Sequence, residues 1–232
     1  MSVWERGVCR NADAMNHKDI DLLLEDGEGP QLEFKRNVSS PEKIARTMVA
    51  FANTKGGSII FGVDDDKTVV GVDSEKAEVE MIRSAGTDHC EPAIEPVIDI
   101  VSYKGKDVIV VTVEESDEKP SFLVDGNGSG DGETKVFIRV NDKTVSASKE
   151  AIKILESENP DAPPLRIAIG DPERRLLEYL ESHERITTKE FGELIEIQPR
   201  RASRILIRLV RAGLLRIHTS EKEDFYTRSF DA

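Results

Sequence analysis

Glu28 and Glu33 stand either side of a Gly-Pro turn, and "LEFKRN" (residues 32–37) adds Lys35 and Arg36 beside the second of them. Further along, "GGSIIFGVDDD" opens on Gly56 and Gly57 and closes on Asp64, Asp65 and Asp66. Carboxylates and cations gathered at the mouth of a strand can hold a divalent cation against a phosphate, or meet the phosphate directly. The same residues also suit a solvated strand end. Glu33 and Lys35, two apart on a strand, share a face and can form a structural ion pair.

A second constellation lies near the end of the chain, in "QPRRASRILIRLVRAG". At about 100° per residue, Arg200, Arg211, Arg204, Arg208 and Arg201 fall within an arc of roughly 100°. Ala202, Ile205, Leu206, Leu209 and Val210 fall on the opposite, core side, and Ile207 is the large apolar residue off that side. The helix carries no acid. A solvated amphipathic helix usually mixes both signs of charge, so a one-sign arc points to phosphate contact.

The rest of the chain must position these groups. Its 232 residues suffice for one large domain or two modest ones. With 33% charged residues and no long apolar run, nothing in the sequence is built to span a bilayer. Residues 1–18 read as a tail without a secretory pattern. Cys9 and Cys90 are unpaired by spacing, which fits a reducing cytoplasm, and His17, His89, His183 and His218 are scattered. The net charge of −13 sits wholly before residue 171, because 12 Lys and Arg balance 12 Asp and Glu from there onward. An acidic body repels nucleic acid except where basic groups are sorted onto one face.

"ESENPDAPPLRIAIGDP" reads as a proline-rich linker and divides the chain into a domain over 19–157, a linker over 158–170 and a domain over 171–232. In the first, "HKDIDLLLED" predicts a helix stopped at Gly27, "QLEFKRN" a strand, and "SSPEKIARTMVAFANTKGG" a helix with Ser40 as N-cap and Pro41 at its first position. "SIIFGV" is a strand buried on both faces, turned by "DDDKT" into a hairpin with "VVGVD". Another helix, two strands around "KGKD", a strand at "KVFIRV" and a closing helix at "SKEAIKILES" follow. "DGNGSGDGE" (Asp125 to Glu133) fits a loop better than a phosphate or calcium motif, and no P-loop pattern occurs. The second domain reads helix, helix, basic helix, ribbon, with "SEKED" as the ribbon's turn.

That last order resembles the winged helix-turn-helix. There the third helix enters the major groove, which would make Arg200, Arg201 and Arg204 base-edge or phosphate contacts. The acidic turn departs from a usual basic wing. In the first domain, "EGPQLEFKR", the helix and "AFANTKGGSIIFGVDD", with "FIRV" at 137–140, together resemble the Schlafen-like, Alba-type DNA-binding domain, a family also described as a divergent ATPase. Gly29 stands where the family commonly has serine, and Asn141-Asp142 where it often has Gly-Ser. In the RNA-cutting Schlafen relatives, the resemblance implies three metal-holding carboxylates, carried over to Glu28, Glu33 and Asp64 or Asp65.

These readings converge on an α/β (α+β) protein, a mixed-sheet Schlafen-like domain followed by a small winged-helix domain. The favoured function is that of a non-enzymatic, cytoplasmic DNA-binding transcriptional regulator, with RNA as a further ligand and a homo-oligomer as the expected state. Its nucleic-acid contacts are Arg200, Arg201, Arg204, Arg208 and Arg211, joined by Lys35, Arg36 and Arg139. The alternative is a Mg- or Mn-dependent Schlafen-type endoribonuclease using Glu28, Glu33 and Asp64 as catalytic and metal ligands. A third reading is a nucleotide or ligand sensor, with Lys55, Gly56 and Gly57 as the phosphate loop.

Overall fold

The structure, a computed structural model, describes residues 15–124, 134–162, 165, 168–220 and 223–229. The 125–133 loop, residues 1–14 of the expected tail, part of the linker and the middle of the "SEKED" turn lie outside them. The chain separates into two compact units, 1–146 and 147–232.

In the first unit, α1 (His17–Asp26) is closed by a capping box between Asn16 and Asp19 and ends at Gly27. β1 (Leu32–Lys35) runs parallel to β2 (Gly57–Phe61), and the crossover between them is α2 (Pro41–Ala52), capped by the Ser40 side chain. α3 (Glu75–Asp88) and β3 (Cys90–Glu91) come next. β4 (Val97–Tyr103) and β5 (Lys106–Val113) form an antiparallel hairpin, and β5 lies against β2. The sheet order is therefore β1-β2-β5-β4, a mixed sheet. β6 (Phe122–Leu123) pairs with β3, and β7 (Phe137–Val140) pairs with β8 (Lys143–Ser146).

Side-chain alternation along these strands gives the sheet two cores. Ile59, Phe61, Ile109, Val111 and Val113 pack with α2 and α3. Leu32, Phe34, Ile60, Val108 and Val110 pack with Ile20 and Leu23 of α1. β2 is buried along its whole length, as its unbroken apolar run predicts. The hairpin expected after "DDDKT" is reduced to one bridge, Val63 to Val69. Gly62 and Gly71, both at positive φ, carry the chain away from the strand there.

The second unit contains α4 (Lys149–Glu158), α5 (Asp171–Ser182), β9 (Ile186–Thr187), α6 (Thr188–Leu194), α7 (Pro199–Arg211), β10 (Leu215–His218) and β11 (Phe225–Arg228). β11 sits between β10 and β9, all antiparallel. Its core joins Leu176 and Leu180 to Phe191, to Ala202, Ile205, Leu206 and Leu209, and to Tyr226. The sequence places the end of the first domain at residue 157. The compact units divide instead ahead of α4, because α4 packs on α7, where the Ser203 hydroxyl donates to Glu150 at 2.8 Å. Ile207, one turn beyond Ser203, is buried as well.

Candidate functional site

β1 is an edge strand of the first unit's sheet, and Glu33 points from it toward α2, on the face its register partner Ile59 shares. Its carboxylate is buried. One oxygen meets the Arg139 guanidinium, and the other meets the Lys35 ammonium. The Thr47 hydroxyl of α2 reaches the second oxygen at 3.4 Å. Glu33 and Lys35 therefore share a face and form the expected ion pair, but the main partner, Arg139, comes from the β7–β8 hairpin.

Arg139 is held from several sides. Its guanidinium donates to the Thr144 hydroxyl at 3.0 Å, to the Gly29 carbonyl at 2.8 Å and to the Asp142 carbonyl at 2.9 Å. It also lies over the Phe51 ring, with its carbon 5.0 Å from the centroid. Thr144 is its cross-strand partner in the hairpin register. The turn that makes this register possible has Asn141 at φ 56°, a conformation asparagine tolerates better than most residues. A charge this deeply buried is stable only when paired and hydrogen-bonded; these contacts satisfy the two terminal nitrogens, while Nε has no partner. Arg139 is thus a buried structural centre, and the little surface it keeps lines a polar cavity.

The three carboxylates of the nuclease reading have separate partners. Glu28 accepts the Phe34 backbone N–H at 2.9 Å and so caps the open edge of β1. Glu33 is neutralised by Arg139 and Lys35. Asp64 pairs with Arg36 at 2.5 Å, which also occupies that predicted cation. Among the described residues, no group of three or more His, Cys, Asp and Glu converges closely enough to hold a metal ion. A polar cavity of about 580 Å³ lies beside the pair. Its walls include Glu28, Lys35, Arg46 and Asp65 but not Asp64. Arg46 is the residue the sequence reading missed there: it stacks over Phe137 and donates to the Thr144 carbonyl at 3.0 Å.

The glycines of the proposed phosphate loop have packing reasons of their own. A Cβ on Gly57 would lie 2.4 Å from the Phe51 ring, and one on Gly56, at φ 69°, would lie 2.8 Å from the Val113 carbonyl oxygen. The Gly56 N–H already donates to the Phe51 carbonyl at 3.0 Å. Lys55 is exposed, and its own carbonyl accepts from Gln31.

In the second unit, the sorted arginines lie along α7 as the helical angles predict, but they are not equivalent. Arg200, Arg201 and Arg204 are exposed on the first two turns. Arg208 pairs at 2.7 Å with Glu173, whose other oxygen accepts the Gly170 N–H at 3.0 Å in the capping box of α5. Arg208 and Arg211 also occupy the last turn of α7, where cations offset the helix dipole. Below the ribbon, Asp224 accepts from the Ser148 hydroxyl, and its carboxyl is pushed up from the ordinary aspartate range, chiefly by burial.

The first unit is thus an α+β domain whose mixed sheet is stapled to a late hairpin by a buried Glu–Arg pair. Residues 28–148 match the family described as Schlafen, AlbA_2, and the chain belongs to that family. Membership implies nucleic-acid binding as the general function. Two solved structures are similar over part of the chain. The DIP2311 protein of Corynebacterium diphtheriae is 17% identical at a TM-score of 0.41, over 59% of this chain and 25% of that one. The N-terminal domain of a RecG-related protein of Nitrosomonas europaea is 24% identical at a TM-score of 0.40, over 56% of this chain and 88% of that one. The chain therefore spans only about a quarter of the length of DIP2311. No curated protein matches. No described helix is long and apolar enough to cross a membrane.

Proposed function

We propose that this chain is a DNA-binding regulator that contacts DNA through its second unit, with α7 as a recognition helix of winged-helix type. The observation that carries this reading is the trio Arg200, Arg201 and Arg204, exposed on the first turns of α7 and held by no carboxylate among the described ion pairs. The order of elements supports it: after α4 come the three helices α5, α6 and α7 and then the β10–β11 ribbon, with β9, between α5 and α6, added to the ribbon. In such a unit the start of the third helix meets base edges and phosphates in the major groove. The strongly negative charge of the rest of the chain confines attraction for phosphate to this basic face.

The experiment is binding and cleavage of labelled duplex DNA, single-stranded DNA and RNA by the full chain, with and without magnesium or manganese. Retention of intact duplex DNA, with or without metal, agrees with the proposal. Metal-dependent cutting of RNA without duplex binding would replace it with the nuclease reading.

A further inference from the structure

The arginine face of α7 is also the floor of an open cleft on the surface of the second unit. This cleft of about 800 Å³ is bounded by α7, by Lys153 of α4 and by residues 168–173 at the start of α5. It is open to solvent on one side and large enough to seat a small ligand.

Its chemistry is two-sided. Arg201, Arg204, Arg208 and Arg211 line it from α7, and Lys153 from α4. The carboxylate of Glu173 is the one acid in the lining, and both of its oxygens are used, by Arg208 and by the Gly170 N–H. Lys153, Arg201 and Arg204 meet no carboxylate among the described ion pairs, so a surplus of positive charge faces the space. Between these cations the wall is apolar, made by Ala168, Pro172, Ile205 and Ile207.

A site for bare phosphate or for a nucleic-acid backbone needs the cations alone. Apolar walls beside them add affinity for a ligand with a flat, weakly hydrated body. Arginine suits several phosphates at once, because its planar fork binds their oxygens in pairs. We propose that this cleft binds a nucleotide carrying two or more phosphates, with the phosphates on Lys153, Arg201 and Arg204 and the base against Ala168 and Pro172. Nothing in this site belongs to the Schlafen-family domain, which ends before α4.

The test is calorimetric titration of the full chain with ATP, ADP, AMP and inorganic tripolyphosphate, in the absence of nucleic acid. ATP is expected to bind most tightly and AMP least. Tripolyphosphate is expected to bind about tenfold more weakly than ATP, since it cannot use the apolar wall. Lys153→Ala, on an exposed position of a helix outside the arginine arc, is expected to weaken ATP about tenfold, the usual cost of one charge-assisted contact. Circular dichroism confirms that the variant is folded. Absence of ATP binding up to millimolar concentration, tripolyphosphate binding as tight as ATP, or ATP affinity unchanged in both Lys153→Ala and Arg204→Ala would each overturn the proposal. Duplex binding is measured separately, so the loss of one reading leaves the other standing.

Discussion

Glu33 and Arg139 lie 106 residues apart in the chain and meet in a buried ion pair that joins the edge of the main sheet to the β7–β8 hairpin. Removing Arg139 leaves the buried Glu33 carboxylate with Lys35 and Thr47 alone, and empties a site where the guanidinium also held Gly29, Asp142 and Thr144. Arg139→Ala should therefore cost about 3–5 kcal/mol in urea unfolding, well beyond a surface ion pair. A double change of Glu33 and Arg139 to apolar residues of similar volume should lose less than the single Arg139→Ala. A loss under about 1 kcal/mol for the single change would show that the pair is not buried in solution.

Glu78, on the first turn of α3, is buried, and its Oε2 has no hydrogen-bond partner. Burial raises its pKa above the ordinary value of 4.5, despite backbone N–H groups that pull the other way. An acid whose folded pKa is raised penalises the folded state once it ionises. That penalty is present above the raised folded pKa and fades as pH falls through it toward 4.5. Glu78→Gln should accordingly raise the melting temperature at about pH 7, and the gain should shrink on titration toward pH 4.5. A gain independent of pH, or a loss near neutral pH, would contradict this.

The packing of α4 on α7 sets an expectation for truncation. A fragment of residues 147–232 should fold with cooperative unfolding, because its core is self-contained. A fragment beginning at Leu165 loses α4 from α7 and the Glu150 partner of Ser203, and should melt at a lower temperature. Equal melting temperatures would show that α4 adds nothing to the unit.

Much of this architecture is legible in the sequence because it is local. Ser40 with Pro41 marks the start of α2, Gly27 the end of α1, and the unbroken apolar run of "SIIF" the central strand. The arginine arc follows from helical period alone. What the sequence hides is long-range. Nothing near Glu33 announces Arg139 as its partner, since the pairing depends on where the β7–β8 hairpin lands. Gly57 invites a phosphate-loop reading until the Phe51 ring beneath it is known. β3, β6 and β9, two residues each, are too short to show any period. α4 resembles the end of the first domain in sequence, and only its packing against α7 assigns it to the second unit.

The most direct test of the account is the salt dependence of duplex DNA binding by the full chain and by the Arg200→Ala, Arg201→Ala, Arg204→Ala triple variant. Each phosphate that is no longer neutralised takes roughly 0.9 off the slope of log affinity against log salt. The triple variant should bind more weakly at low salt, with a slope flatter by about 2–3, while Arg208→Ala, already paired with Glu173, should change the slope by less than about 1. A folded triple variant with wild-type affinity and slope would contradict the account.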